Sequence, residues 1–270
     1  MRITGLNTYP VKGCHRVEHD TAVVEPWGLA GDRRWLMVDP DGVGITQRDT
    51  RRLTRLTVRP RPGGLELSSP GRPTLAVDEP AHGPKESVRV FSSFAAVPAR
   101  VAESEWSTAF LGRPARLVWL ADPTVRTISS HALEGDRVSF ADGFPVLLAN
   151  EGSLSAVNDW LVEAGDEPVP MTRFRPNLVV GGAPAWAEDE WLGRRLRVGE
   201  VVFRAAKACS RCVVTTIDQE TGDKGRQPLR ALGRHRRFDN GLLFAINLIP
   251  DVLPGSTGNV RRGDPVTVIS

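Results

Sequence analysis

Apolar and polar positions alternate along this chain in short runs. Between Ile3 and Phe91 come "ITGLNTYPV", "DTAVVEP", "RRWLMVD", "GITQR", "RLTRLTVRP", "GLELSS", "PTLAVD" and "ESVRVF", rich in Val, Ile, Leu and Thr and bounded by Gly, Pro, Asp or Asn. Runs of this length and punctuation predict strands. Many of them at close spacing predict a barrel or sandwich. Further strands are expected at "RPNLVVGG", "LRVGEVVFRAAKA", "CVVTTID" and the closing "DPVTVIS". Two segments carry helix signals instead. "ESEWSTAFLG" (Glu103 to Gly112) ends on glycine. "NEGSLSAVNDWLVEAG" (Asn150 to Gly165) offers Asn150 or Ser153 as a cap and puts Leu154, Val157, Leu161 and Val162 on one face. The expected class is mostly β (α+β), with a few helices. An N-terminal β-barrel-like unit would cover 1–121 and a second β-barrel unit 122–270, divided at "ADPTVRT" around Asp122 and Pro123. "DPDG" (Asp39 to Gly42) starts like a calcium loop. Val43 and Thr50 stand where ligands are required, so a hairpin turn is expected there.

Composition narrows the classes. The formal net charge is +3, and arginine supplies nearly all the positive charge. Guanidinium groups clamp phosphates and carboxylates in a planar fork, so an anionic ligand is permitted. There is no Lys-rich tail, no aromatic-and-basic RNA motif and no heptad pattern, so no nucleic acid partner is expected. Three cysteines are too few for a disulfide-stapled secreted domain. "MRITGLNTYPVKG" lacks the apolar core of a signal peptide, and no run reaches the length of a membrane span. The expected setting is cytoplasmic and reducing, with no membrane.

The cysteines carry the candidate chemistry. Cys209 and Cys212 form a Cys-x-x-Cys, while Cys14 lies far away in sequence. A structural zinc needs four ligands; Cys14, His15 and His19 would have to join the pair. A dithiol redox site would have the pair open a helix, whereas "VVTTID" reads as a strand. Two alternatives remain: two inert buried thiols, or one working thiolate with a spectator. Arg211 and Lys207 make the surroundings positive, which favours a thiolate suited to a soft or high-valent metal.

"YPVKGC" (Tyr9 to Cys14), "GDRRWLMVD" (Gly31 to Asp39), "DGFPVLLANEGSL" (Asp142 to Leu154), "FRPNLVV" (Phe174 to Val180), "CSRCVVTTIDQETG" (Cys209 to Gly222) and "GDPV" (Gly263 to Val266) occur in that order. Together they resemble the MOSC-domain proteins with an N-terminal MOSC β-barrel domain, the group of the mitochondrial amidoxime-reducing component and its bacterial counterparts. The resemblance spans essentially the whole chain. It implies the molybdenum cofactor, a pterin dithiolene ending in a phosphate, with the Cys212 thiolate as protein ligand to molybdenum at the start of a strand. Lys12 and Arg33 would clamp the phosphate. Taken alone, these residues and Arg34 read as exposed charges. The family often has Ser where this chain has Gly13, whose backbone N–H can still donate. Arg175 and Asn177 would hydrogen-bond the pterin, with Ser210, Arg211, Asp142 and Gly143 also contacting the cofactor. Cys209 has no assigned duty. Asp218 is a candidate proton donor, or the first residue of a "DQETG" turn.

The implied activity is a molybdenum-dependent oxidoreductase acting on small N-oxygenated compounds such as amidoximes, hydroxylamines and N-hydroxylated bases. Some bacterial relatives carry an iron–sulfur domain. Three cysteines hold no such cluster, so a separate electron-donor reductase or electron carrier is implied. "GRHRRFD" (Gly233 to Asp239) reads as a solvated loop, or as a surface that docks an acidic partner. The alternatives are a sulfur carrier with a persulfide on Cys212, as in the molybdenum cofactor sulfurases, or a cofactor carrier without turnover. The lack of an aminotransferase-like, pyridoxal-phosphate-binding domain counts against the sulfurase.

Overall fold

The computed structural model describes residues 1–91 and 94–269 and is mostly β. Its main sheet has nine strands. Eight form a path in the order Val266–Ile269, Arg195–Val198, Val201–Ser210, Gly241–Pro250, Val146–Asn150, Leu178–Gly181, Arg2–Thr8 and Val17–Glu18; Arg237–Phe238 pairs aside with Gly241–Pro250. A four-stranded sheet (Trp35–Val38, Arg116–Trp119, Val97–Glu103, Lys85–Val88) and a meander (Thr57–Arg61, Gly64–Ser68, Leu75–Asp78) build the other barrel-like body.

The pattern of burial explains the central strands. Val146 and Leu148 enter one core cluster, while Leu147 and Ala149 enter another. Trp35 and Met37 likewise part from Leu36 and Val38. A strand buried on both faces reads as an unbroken apolar run, without alternation. That is why "GLLFAINLIP" (Gly241–Pro250), the middle of the main sheet, carries no half-buried strand signature.

The chain order does not separate the two bodies in space. Arg2–Thr8 runs antiparallel to Leu178–Gly181, and Thr21–Glu25 pairs with Gly258–Arg261. Ile3, Leu6, Val24 and Leu29 sit in the same core as Val180, Leu196 and Ile246. The first thirty residues thus belong to the sheet system of 122–270, and "YPVKGC" lies at the crossing between the two bodies.

The helix Glu105–Leu111 ends on Gly112, at φ +70°. In Glu151–Glu163 the Asn150 side chain accepts the Gly152 N–H at 3.0 Å, the capping bond that stabilises such a start. Ser153 instead donates to the buried Glu188. Val157 and Leu161 are buried, but Val162 is 60% exposed and leaves the expected face. The "DPDG" turn forms, with the Asp39 carboxylate accepting the N–H groups of Asp41 and Val43. Two strand assignments fail and a third holds only in its second half. "GITQR" makes only an isolated bridge at Gly44 before turning. In "RLTRLTVRP" the first four residues belong to a 3-10 helix, Arg51–Arg55, and the strand Thr57–Arg61 begins only after it. "CVVTTID" contains a second one, Val213–Thr216. There the Thr215 and Thr216 hydroxyls donate back to the carbonyls of Cys212 and Val213, at 3.0 and 2.8 Å. Such back-bonding offers the backbone an alternative to a ladder. Of the closing strand, Ser270 lies outside the described residues. No helix among the described residues is long and apolar enough to cross a membrane.

Each of Ile3, Leu6, Val24 and Leu29 contributes about 1.5–3 kcal/mol by burial. Their sum is comparable to the ~5–15 kcal/mol that holds an ordinary domain. A fragment of residues 122–270 should therefore show no cooperative thermal transition by circular dichroism. Adding residues 1–30 as a separate peptide should restore one.

Candidate functional site

A cavity opens where the two bodies meet. Its wall includes Lys12, Gly13, Arg33, Gln47 and Arg48 from the first part of the chain, and Asp142, Gly143, Phe174, Arg175, Asn177 and Cys209 to Cys212 from the second. Ten of the eleven residues named above as cofactor or proton-transfer candidates line it. Asp218 does not.

Two of the site arginines occupy the left-handed region, Arg33 at φ +49° and Arg175 at φ +54°. A non-glycine residue there costs on the order of 1–2 kcal/mol and persists only when its surroundings over-determine it. They do. The Arg33 N–H donates to the Tyr9 carbonyl, and its guanidinium donates to Asp32 at 2.5 Å and to the Asn177 side-chain oxygen at 3.1 Å. Arg175 caps the 3-10 helix Met171–Phe174 and donates to Gln219 at 2.7 Å. Both guanidinium groups lie over the buried ring of Tyr9, at 4.6 and 4.2 Å. Burial brings Arg175 down to about 10, so it remains a cation at neutral pH. No carboxylate pairs with it among the described residues.

Lys12 is 6% exposed and Arg34 9%, so neither is the surface charge that the isolated sequence suggests. Arg34 donates to the Leu120 carbonyl and is structural. Lys12 pairs with Asp142. Burial lowers Lys12 to about 8, with Asp142 opposing. The Asp142 side chain is 61% accessible, towards the open side of the cavity. Desolvation by its neighbours would raise it. Lys12 first, then Arg48 and Arg33, hold it well below the usual carboxylate range. Gly13, at φ +81°, has Leu53 packed where a Cβ would point, which accounts for glycine there.

The two thiols differ in setting. Val201–Ser210 shifts register twice against Gly241–Pro250, and at the second shift Phe244 and Ala245 stand against Cys209 alone. Bulges of this kind bend a strand and re-aim the side chains beyond them. Cys209 packs against the Phe174 and Phe244 cluster and accepts from Arg211 at 2.9 Å. Cys212 lies past the strand end, at the N-cap of Val213–Thr216, rather than at the start of a strand. Arg48 donates to its sulfur at 3.5 Å and reaches Asp142 at 3.6 Å, while lying over Phe91 at 4.6 Å.

Asn177 is largely spent within the protein. Its oxygen accepts from Leu147 N and Arg33, and its amide donates to the Asn7 carbonyl. Ser210 packs against Gly241, which at φ +119° leaves room for it. Asp218 opens the "DQETG" turn, accepting the N–H groups of Glu220 and Thr221 and pairing with Arg173 at 3.0 Å. Burial works against its charge, but those bonds hold it below its ordinary value. His15 pairs with Glu220 and His19 with Thr8, so neither converges with the thiols. Arg48, Gln47 and Phe174 were not marked by any spacing. Arg48 sits within a turn, in a segment whose sequence reads as a strand, and only the tertiary fold brings it to Cys212.

Fold and site define a mostly-β protein whose two bodies enclose a cavity lined by cations and carrying two thiols. Residues 1–114 match the MOSC N-terminal beta barrel domain and residues 135–267 the MOSC domain. The chain belongs to the MOSC-domain family. It is 30% identical, over 99% of its length, to mitochondrial amidoxime-reducing component 1 of Homo sapiens, 82% of which is covered. The Danio rerio protein of the same name is 31% identical over 99% of the chain and 85% of that protein. Molybdenum cofactor sulfurase of Oryza sativa subsp. japonica is 30% identical over 96% of the chain, which spans 34% of that protein.

Neutral Lys12 cannot serve an anion, so sulfate, which does not titrate in this range, should bind the cavity more weakly as pH rises through about 8. Lys12→Arg should flatten that profile in calorimetric titrations. Stability runs the other way. Between about 8 and the ordinary 10.5 the unfolded chain binds more protons, so the Lys12 contribution favours folding as pH rises.

Proposed function

We propose that this protein binds the molybdenum cofactor in this cavity and reduces small N-oxygenated compounds, with the Cys212 thiolate as the protein ligand to the metal. The observation that carries the reading is the convergence of both domains' motifs on one cavity lined by cations. Lys12, Arg33, Arg48, Arg175 and Arg211 line it, against the single carboxylate of Asp142 in its wall. The Arg211 Nε is buried with no partner among the described residues. This donor set fits a group with an anionic end and a polar heteroaromatic edge.

Lys12 and Arg33 would hold the phosphate, and Arg175 and Arg211 the pterin edge, with the remaining Asn177 N–H and the Gly13 and Gly143 backbones beside them. Phe174 gives the cavity an apolar surface that keeps water from part of the bound group. Arg48 places a positive charge beside the Cys212 sulfur and fixes it from the opposite body. When bound, the cofactor supplies the two-electron removal of oxygen from an N–O bond, consuming two electrons and two protons and releasing water. Asp218 does not line the cavity, pairs with Arg173 and is given no step in this reading. The electrons come from a separate carrier or reductase.

The similarity to the rice sulfurase supports one rival, in which Cys212 carries a persulfide. Metal content separates the two. Protein from a host that makes the cofactor should contain near-stoichiometric molybdenum and pterin, Cys212→Ala should lose the molybdenum, and the wild type should reduce benzamidoxime with reduced methyl viologen. Pterin without metal, together with a persulfide on Cys212 by mass spectrometry, would overturn the reductase reading.

A further inference from the structure

Beyond the cavity, one surface carries charge that the fold does not use. Between Asp223 and Asp239 the chain has six Lys or Arg against two Asp. The segment is not the solvated loop its composition suggests. It holds the helix Leu229–His235 and the short strand Arg237–Phe238. Arg230 and Arg234 stand one turn apart on the helix, and both are exposed. Arg226 lies one turn earlier, its carbonyl accepting the Arg230 N–H. Like charges at that spacing destabilise a helix. Arg226, Arg230, Arg234 and Arg237 make no ion pair within 4.0 Å among the described residues. Arg236 is the exception: it is buried, donates to Asp189 at 2.5 Å and lies over Trp186. Beside these cations Phe238 is 47% exposed.

This surface adjoins the cavity. Phe238 pairs with Gly241, and Gly241 packs on Ser210 in the cavity wall. The Leu242 carbonyl accepts the Arg211 N–H at 2.8 Å. Behind it runs a line of aromatic contacts: exposed His235 on Trp160 at 4.3 Å, Trp160 on Trp186, Trp186 against Phe244, and Phe244 on Phe174, which lines the cavity.

We propose that this basic surface, with Phe238 at its tip, docks an acidic one-electron carrier protein that feeds the cavity. The inference rests on the reductase reading. Cations around an exposed aromatic match a partner with a carboxylate-rich rim, and complementary charge raises the rate of encounter. Two reduced carriers each give up one electron and leave oxidised. With two protons from solvent, these electrons convert the N–O bond to N–H and water.

The test uses the cofactor-loaded protein, benzamidoxime as substrate and two donors: reduced methyl viologen, and a reduced acidic plant-type [2Fe–2S] ferredoxin as the carrier probe. Arg230→Glu with Arg234→Glu should lower kcat/KM for ferredoxin about tenfold, through KM, and leave the viologen rate unchanged. Added salt should slow the ferredoxin reaction of the wild type and not that of the variant. Viologen turnover without ferredoxin turnover in the wild type would overturn the docking surface and leave the reductase standing. So would equal ferredoxin kinetics in wild type and variant, or equal losses with both donors. Binding of an RNA oligonucleotide at these arginines without ferredoxin coupling would reassign the surface. No viologen turnover at all would overturn the reductase reading and the docking surface with it.

Discussion

The buried ring of Tyr9 joins three distant segments of the chain. Its N–H donates to Asp32 at 2.7 Å, its hydroxyl donates to the Pro176 carbonyl at 3.1 Å, and its ring lies under Arg33 and Arg175. Burial pushes the phenol up to about 12, against the pull of both arginines, so the ring is neutral across the physiological range. A neutral ring attracts a guanidinium through its quadrupole, and more strongly where water is excluded. Asp32 offsets part of the Arg33 charge, whereas Arg175, lowered first by burial and further by Arg33, has no carboxylate partner among the described residues and relies on the ring and Gln219. Tyr9 and Asp32 together allow the two cations to stand side by side.

The same arrangement explains the interleaving of the chain. Arg33 and Arg175 come from different bodies, and each is held in a left-handed backbone that it would not adopt alone. Strands from the first thirty residues, built into the sheet system of the second half, fix "YPVKGC" beside "FRPN". A site assembled across a boundary between independently mobile units would have to order itself on each binding event. Here the boundary is a shared core, and the cavity is formed in advance.

Much of this was legible in the sequence. Turn glycines, the Asn150 cap and the "DPDG" turn come from local chemistry that acts within a few residues. So does the dominance of strands. The ordered motifs brought ten of eleven candidate residues to one cavity. The illegible part depends on competition or on distance. The β-branched "VVTT" looked like a strand, yet two threonine hydroxyls close a 3-10 turn instead. Gly241–Pro250 shows no alternation because both of its faces are buried. Arg48 carries no motif, and its value arises only where the two bodies meet.

The Cys-x-x-Cys shows how geometry separates residues that sequence treats alike. Cys209 is still in the ladder, opposite a bulge, with its sulfur turned to an aromatic cluster and to its own neighbour Arg211. Three residues later the ladder has ended and the backbone is turning into a helix. Cys212 therefore leaves the sheet's alternation, and its sulfur meets Arg48 from the other body. The 3-10 turn that defeated the strand expectation is also what sets the direction of this thiol. A strand would have continued the alternation of the sheet, placing successive side chains on opposite faces. The departure from regular structure thus falls at the residue whose proposed chemistry needs a particular direction. The thiol that meets a side chain from each body, rather than the one packed against a single aromatic cluster, is the one placed to hold a ligand between them.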